Sequence, residues 1–229
     1  MLSVVVPTYN EAGSVTGLAE RLHAAIAGRE WELVIVDDGS PDGTADIAAA
    51  LAPRIPVIVV RRGVKAGLAS AVVAGFQAAR GEVLVVMDAD LSHPPETVPA
   101  LVNAIEQGAD LAVGSRYVAG GGVEDWPMTR RVVSRVACLM GNALVPVRDA
   151  TSGFFALRRS VIDGATLNPI GFKIGFEVIA RGRYKTVVEV PYTFRDRELG
   201  ASKFGQREIG QYAVQLGQVA RDKLLRRIR

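Results

Sequence analysis

Glu82-Val83-Leu84-Val85-Val86-Met87-Asp88-Ala89-Asp90 decides how this chain is read. The apolar run Val83–Met87 has the composition of a buried strand, and it delivers two carboxylates, one residue apart, to its carboxyl end. In an open α/β sheet that end is where ligands bind. Two hard oxygen donors suit Mg²⁺ or Mn²⁺, ions that share their shell with substrate phosphates and water. One reading of Asp88 and Asp90 is therefore a metal-bound diphosphate substrate. The other makes them a turn, or the cap of the helix that follows.

Outward from this stretch, strands and helices alternate. Leu2–Val6, Leu33–Val36, Val57–Val60 and Leu111–Val113 read as further strands. Helices are expected over Ser14–Ala27, Thr44–Leu51, Leu68–Ala79 and Pro95–Gln107, the last opening on a proline that a helix start tolerates. Such alternation implies an α/β fold with a doubly wound, mostly parallel sheet and helices on both faces. The second half changes character. Tyr117–Asp125, with Gly120, Gly121 and Gly122, reads as a mobile loop, and Met128–Leu144 as an amphipathic helix. A short strand at Phe154–Leu157, a longer one at Lys185–Phe194 and a terminal helix over Arg207–Ile228 complete the expectation. No repeat or linker interrupts the 229 residues, so one domain is expected.

Composition narrows the class. A net charge of +3 is too small to argue for nucleic acid. The single cysteine, Cys138, forms no intramolecular disulfide, which fits a reducing compartment. The start, Met1 to Pro7, lacks a basic segment and reaches proline too soon for a signal peptide. No apolar run approaches the roughly 20 residues of a spanning helix. A cytoplasmic or peripheral protein is expected.

Two other strand ends carry candidate ligands. Pro7-Thr8-Tyr9-Asn10-Glu11 follows the first strand, and Asp37-Asp38-Gly39-Ser40-Pro41-Asp42-Gly43-Thr44 the second. Glu11 and Asp38 could accept hydrogen bonds from a purine edge or ribose hydroxyls, with Tyr9 stacked on the base. Equally, Asn10-Glu11 could be a helix entry and Ser40 to Gly43 a turn. Gly63 to Gly67 could offer backbone N–H groups to phosphate, or Gly67 could serve packing alone. Neither GxGxxG after the first strand nor GxxxxGK[ST] occurs, which argues against dinucleotide and P-loop sites.

Together these blocks resemble the GT-A glycosyltransferases of family 2, in the branch that mannosylates dolichyl or polyprenyl phosphate. They recur in order over nearly the whole chain: Val5 to Glu11, Asp37 to Thr44, Gly67 to Ser70, Met87 to Pro95, Gly114 to Tyr117, Ser152 to Phe154, Pro191 to Arg197 and Gly200 to Lys203. The resemblance implies a GT-A fold, divided into a nucleotide-sugar-binding half (1–115), an acceptor-binding half (116–205) and a C-terminal amphipathic, basic helix (206–229). It implies that Pro7, Tyr9, Glu11, Val36 and Asp38 hold the nucleoside of GDP-mannose. Asp88 and Asp90 would face the metal and the sugar diphosphate, with Met87 and Ala89 lining the site by backbone. Arg116, Arg197 and Lys203 match phosphate-contacting cations, and Arg116, Arg130 and Ser134 the surroundings of the acceptor phosphate. Asp88, Asp90, Arg116 and Arg197 are thus the expected catalytic set. Some relatives carry a glutamine ligand where this chain has Ser92; His93 could approach the metal, or serve a structural role before Pro94-Pro95.

The implied reaction is inverting transfer of mannose from GDP-mannose to a polyprenyl phosphate, giving a β-linked mannosyl phosphate. The acceptor oxygen is already anionic, so positioning and electrostatics suffice without a strong base. Asp149 and Glu177 would orient the acceptor or its cations, or serve structure alone. A membrane-held acceptor implies a peripheral site on the cytoplasmic face of a membrane. For contact with it, the terminal helix offers Ile209, Tyr212, Leu216, Val219, Ala220, Leu224 and Ile228 on one side, and Met128–Leu144 is a second candidate. The same terminal stripe would suit a helix packed on the core. A membrane-anchoring subunit, or a longer natural chain, is a further expectation. Rival readings are another donor (UDP-glucose or UDP-GlcNAc), a polysaccharide synthase, and a non-catalytic nucleotide-sugar-binding subunit.

Overall fold

The computed structural model describes residues 1–196 and 206–225. Strands β1 (Leu2–Thr8), β2 (Trp31–Asp37), β3 (Val57–Arg61) and β4 (Val83–Val86) alternate with helices α1 (Val15–Ala25), α2 (Thr44–Ala50) and α3 (Leu68–Ala78). A 3₁₀ turn at Pro95–Thr97 leads into α4 (Val98–Glu106), followed by β5 (Leu111–Ser115), β6 (Gly122–Val123) and α5 (Met128–Asn142). The remainder is β7 (Phe155–Arg158), α6 (Ile174–Arg181), β8 (Val187–Pro191), β9 (Thr193–Phe194) and α7 (Gln206–Leu224).

Seven strands form one sheet in the order β3-β2-β1-β4-β7-β5-β8, parallel except for β7, which runs antiparallel to both its neighbours. The run of Val, Leu and Ile in β1, β2, β4 and β5 fits strands covered on both faces. One core cluster joins one face of the sheet to α1, α2 and α4. The other joins the opposite face to α3, α6 and α7. The expected doubly wound, mostly parallel sheet is therefore observed.

Several local expectations differ from the structure. Tyr117–Asp125 is not wholly loop, because Gly122–Val123 pairs with β9 in a two-stranded parallel ribbon. The strand expected over Lys185–Phe194 divides at Tyr192, with β8 completing the large sheet and β9 the small one. Helix α6 had no counterpart in the sequence reading: it is only eight residues long, too short for periodicity to mark it. The terminal helix turns Tyr212, Leu216 and Val219 into the core rather than outward. The helix that exposes apolar residues is α5, where Met128 is 72%, Val132 54% and Leu139 68% exposed. A stripe at helical spacing reads the same whether a core or a membrane covers it, so the packed alternative for the terminal helix is the one observed.

Candidate functional site

Parallel strands bring their carboxyl ends to one edge, and register fixes which residues meet there. Pro7 pairs with Val36 and Thr8 with Asp37, so the loops after β1 and β2 leave the sheet side by side. Hydrogen bonds then tie them together. Backbone N–H groups of Asn10, Glu11 and Ala12 donate to Ser40 Oγ (3.0 Å), Thr44 Oγ1 (2.9 Å) and Asp42 Oδ2 (3.1 Å). Asp42 also receives Thr44, and its carboxyl is held below the usual range because these hydrogen bonds outweigh the opposing effect of burial. The turn reading of Ser40–Gly43 is thus correct for Asp42. Glu11 nevertheless remains on the wall of the cavity.

That cavity, about 850 Å³, is lined by Pro7, Tyr9, Glu11 and Asp38 together with Asp88, Ala89 and Asp90. Arg116, Arg130 and Ser134 line it too. Val36 and Met87 do not; their side chains are fully buried in the core, one residue behind the rim. Arg197 and Lys203 lie outside the described residues.

Asp38 links β2 to the Gly63–Gly67 turn. Its Oδ2 accepts the Gly67 N–H at 2.7 Å, so that amide is spent on protein rather than offered to phosphate. Oδ1 lies 3.1 Å from Arg62 Nη1, yet no donor hydrogen is aimed at it. A buried carboxylate oxygen without an aligned donor suits an incoming hydroxyl or base N–H. Lys65, from the same turn, places its ammonium 3.8 Å from the centre of the Tyr9 ring, so one face of that ring is already covered by a cation.

After β4 the chain turns sharply. Leu91 takes a left-handed conformation (φ 62°), and the Ser92 N–H donates to Asp90 Oδ1 at 3.1 Å. His93 Nδ1 accepts the Asp88 N–H at 3.0 Å while its ring stacks on Phe154, centroids 4.9 Å apart. With Nδ1 occupied and the ring buried, His93 fixes the aspartate loop, consistent with the structural role expected of it. Among the described residues no three His, Cys, Asp or Glu side chains converge on one point. Two carboxylates on the wall of a cavity of about 850 Å³ still fit a hard divalent ion that draws its other ligands from a diphosphate and water.

Burial drives the His93 pKa down to about 4, with Asp90 opposing. The unfolded chain therefore binds more protons than the folded one between that value and the ordinary 6.5. The stability from a neutral His93 is complete above 6.5 and lost as pH falls towards 4. Thermal melting in that window is expected to decline for the wild type and to flatten in His93→Asn, which keeps an acceptor for the Asp88 amide. A parallel decline in both proteins would refute the assignment.

The opposite wall is held by a buried ion pair. Asp149 accepts from Arg116 Nε (2.7 Å), Nη2 (2.6 Å) and backbone N (3.0 Å), and Arg116 Nη2 also reaches Thr151 Oγ1 at 2.9 Å. Burial opposes charge on both partners, but their attraction outweighs it: Arg116 is raised and Asp149 lowered from ordinary values. Asp149 is in turn fixed by Glu189 of β8, which accepts the N–H groups of Arg148 and Asp149. One half of the reading of Asp149, as a residue that orients a cation, matches this geometry. Glu177 instead joins Gln215 and Arg181 between α6 and α7, which is structural.

Arg116 and Arg130 both face the Trp126 ring, at 5.5 and 4.1 Å. Arg130 pairs with Asp196 at 2.8 Å, and Ser134, one turn along α5, accepts the Tyr117 hydroxyl at 2.7 Å. Two further cations on the cavity wall escaped the sequence reading, Lys65 and Lys173. Lys173 Nζ donates to Thr151 O at 3.3 Å, and its pKa is lowered, first by burial and then by the charge of Arg116. Its signal was a lysine standing alone before the apolar segment 174–176.

Comparison with known proteins agrees with this geometry. Residues 3–165 match the model of the family described as Glycosyl transferase family 2. A dolichol-phosphate mannosyltransferase of Pyrococcus furiosus is 49% identical over 215 residues, 92% of this chain and 61% of that protein. This chain therefore spans less than two thirds of that relative. The Saccharomyces cerevisiae dolichol-phosphate mannosyltransferase is 40% identical over 93% of this chain and 85% of its own. Among solved structures, glucosyl-3-phosphoglycerate synthase from Mycobacterium tuberculosis, in complex with Mn²⁺, UDP and phosphoglyceric acid, superposes with a TM-score of 0.68. It is 22% identical, with 96% of this chain and 77% of that one covered, and shows the shared GT-A fold alone.

Proposed function

We propose that this chain, which belongs to glycosyl transferase family 2, transfers mannose from GDP-mannose to the phosphate of dolichol or another polyprenol, with inversion to a β-mannosyl phosphate. The observation that carries the proposal is one cavity whose wall combines the β1 and β2 loops, Asp88 and Asp90, and the arginines at and facing α5. The relatives named for mannosyl transfer to dolichol phosphate support the choice of sugar and acceptor. In this reading residues 1–115 bind the nucleotide sugar, 116–205 the acceptor, and 206–229 form the basic C-terminal segment, helical over Gln206–Leu224.

Pro7, Tyr9, Glu11, Val36 and Asp38 hold the nucleoside, Val36 through its backbone. A Mg²⁺ or Mn²⁺ ion held by Asp88 and Asp90 with the donor diphosphate would supply charge neutralisation of the departing GDP. Met87 and Ala89 shape this loop by backbone. Arg197 and Lys203 add cations to the same diphosphate. Arg116, Arg130 and Ser134 receive the acceptor phosphate, with Asp149 keeping the Arg116 fork in one orientation. The nucleophile is an anionic phosphate oxygen, so no residue has to remove a proton. The chain's contribution is alignment and fixed positive charge.

No helix among the described residues is long and apolar enough to cross a membrane. The exposed apolar residues of α5, on the helix that carries Arg130 and Ser134, make it the element that meets the lipid surface. Peripheral attachment at a cytoplasmic membrane face, with or without an anchoring subunit, is part of the same proposal. Donor competition tests the proposal: purified chain, a short polyprenyl phosphate in detergent, and labelled GDP-mannose, UDP-glucose or UDP-GlcNAc. Label is expected in lipid from GDP-mannose far above the others; preference for a UDP-sugar would sink the donor assignment.

A further inference from the structure

A second cavity, of about 280 Å³, opens beside the first and is lined by Arg116, Tyr117, Gly121, Gly122, Arg131 and Arg135. Tyr117 divides the two. Its hydroxyl donates to Ser134 on the acceptor wall, and its ring lies 4.0 Å from the Arg135 guanidinium carbon on one side and 5.2 Å from that of Arg116 on another. Arg131 and Arg135 stand one turn apart on α5, a helix with no acidic residue. Arg131 Nε donates to the Trp126 carbonyl at 3.1 Å, and among the described residues neither arginine meets a carboxylate. Uncompensated guanidinium groups around a concavity attract an anion, and phosphate matches their planar donor geometry.

The position specifies the source of that phosphate. On the same helix Met128, Val132, Val136 and Leu139 expose apolar side chains. A helix seated by those residues in a lipid surface would hold its flanking arginines at headgroup depth. We propose that this cavity binds the phosphodiester of an anionic membrane lipid, one that is retained rather than glycosylated. Such a lipid would dock α5 with its acceptor wall turned towards the bilayer. The inference rests on the reading that the chain works at a membrane.

The full chain would be partitioned onto phosphatidylcholine vesicles, with and without phosphatidylglycerol, and inorganic phosphate titrated separately. Preference for the anionic vesicles is expected to fall about five-fold for each of Arg131→Gln and Arg135→Gln. Gly122→Val should lower it as well, because Gly122 lines the cavity and a Cβ there meets only Thr193 Oγ1, at 3.9 Å, so bulk is added while every charge stays in place. Arg54→Gln, in the segment between α2 and β3, should not. Melting temperature and turnover on a short polyprenyl phosphate in detergent should stay at wild-type values in the double arginine variant. Unchanged preference in that variant, or in Gly122→Val, overturns the pocket. Phosphate binding lost without a vesicle effect overturns the lipid assignment, and lost detergent turnover returns the arginines to the acceptor site. Wild-type failure in detergent would instead count against the proposed reaction, and the vesicle comparison would still report on the pocket.

Discussion

Asp90→Asn is expected to lower transfer about a thousand-fold while leaving the protein folded, the order of loss seen when a pre-placed electrostatic group is removed from a transition state. Asp90 lines the cavity, and its Oδ1 accepts the nearby Ser92 amide. Asparagine keeps an acceptor for that amide and removes the charge. If Asp90 helps to hold a divalent ion against the donor diphosphate, the variant should also need far more Mn²⁺ to reach its residual rate. Measuring rate against metal concentration separates the possibilities. A variant with wild-type rate and metal dependence would reduce Asp90 to the turn-forming role that its spacing equally allows.

Asp149→Ala is expected to cost stability as well as activity. Asp149 is fully buried and receives three hydrogen bonds from Arg116, whose own guanidinium is buried. Breaking such a pair leaves an uncompensated charge and typically costs about 3–5 kcal/mol. For a chain of this size that corresponds to a fall in melting temperature on the order of 10 °C. Arg116→Met with Asp149→Leu, which removes both charges, should recover much of the stability and none of the transfer. Thermal melting together with the acceptor KM checks both parts. A single variant that melts like the wild type would show that the pair is not the strut described here, and transfer by the double variant would remove Arg116 from the reaction.

The difference between these two residues shows what the sequence could reveal. Asp88 and Asp90 follow an apolar run, so the strand, its end and the carboxylates could all be read in nine consecutive letters. The pairing of Arg116 with Asp149 crosses 33 residues and two elements, and nothing local announces it. Strand β7 was legible as a strand, but its antiparallel insertion between β4 and β5 depends on long-range pairing. Helix α6 was lost because eight residues give too short a window for a helical period to be read. Both apolar stripes, on α5 and α7, could be read, but only packing decides which of them the core covers. At the site, the loops after β1, β2 and β4 were legible as strand ends, and the structure gathers them on one cavity wall. Lys65 and Lys173 were not, since a single lysine in a loop is most often a surface charge.

The central claim is tested most directly by incubating the purified chain with radiolabelled GDP-mannose and a short polyprenyl phosphate, with Mn²⁺ and with chelator, and extracting the lipid. Label that enters the organic phase only with metal and only with the polyprenyl phosphate present is the predicted result. Label that stays in water under every condition, or reaches a sugar hydroxyl acceptor in preference to the lipid phosphate, would contradict it.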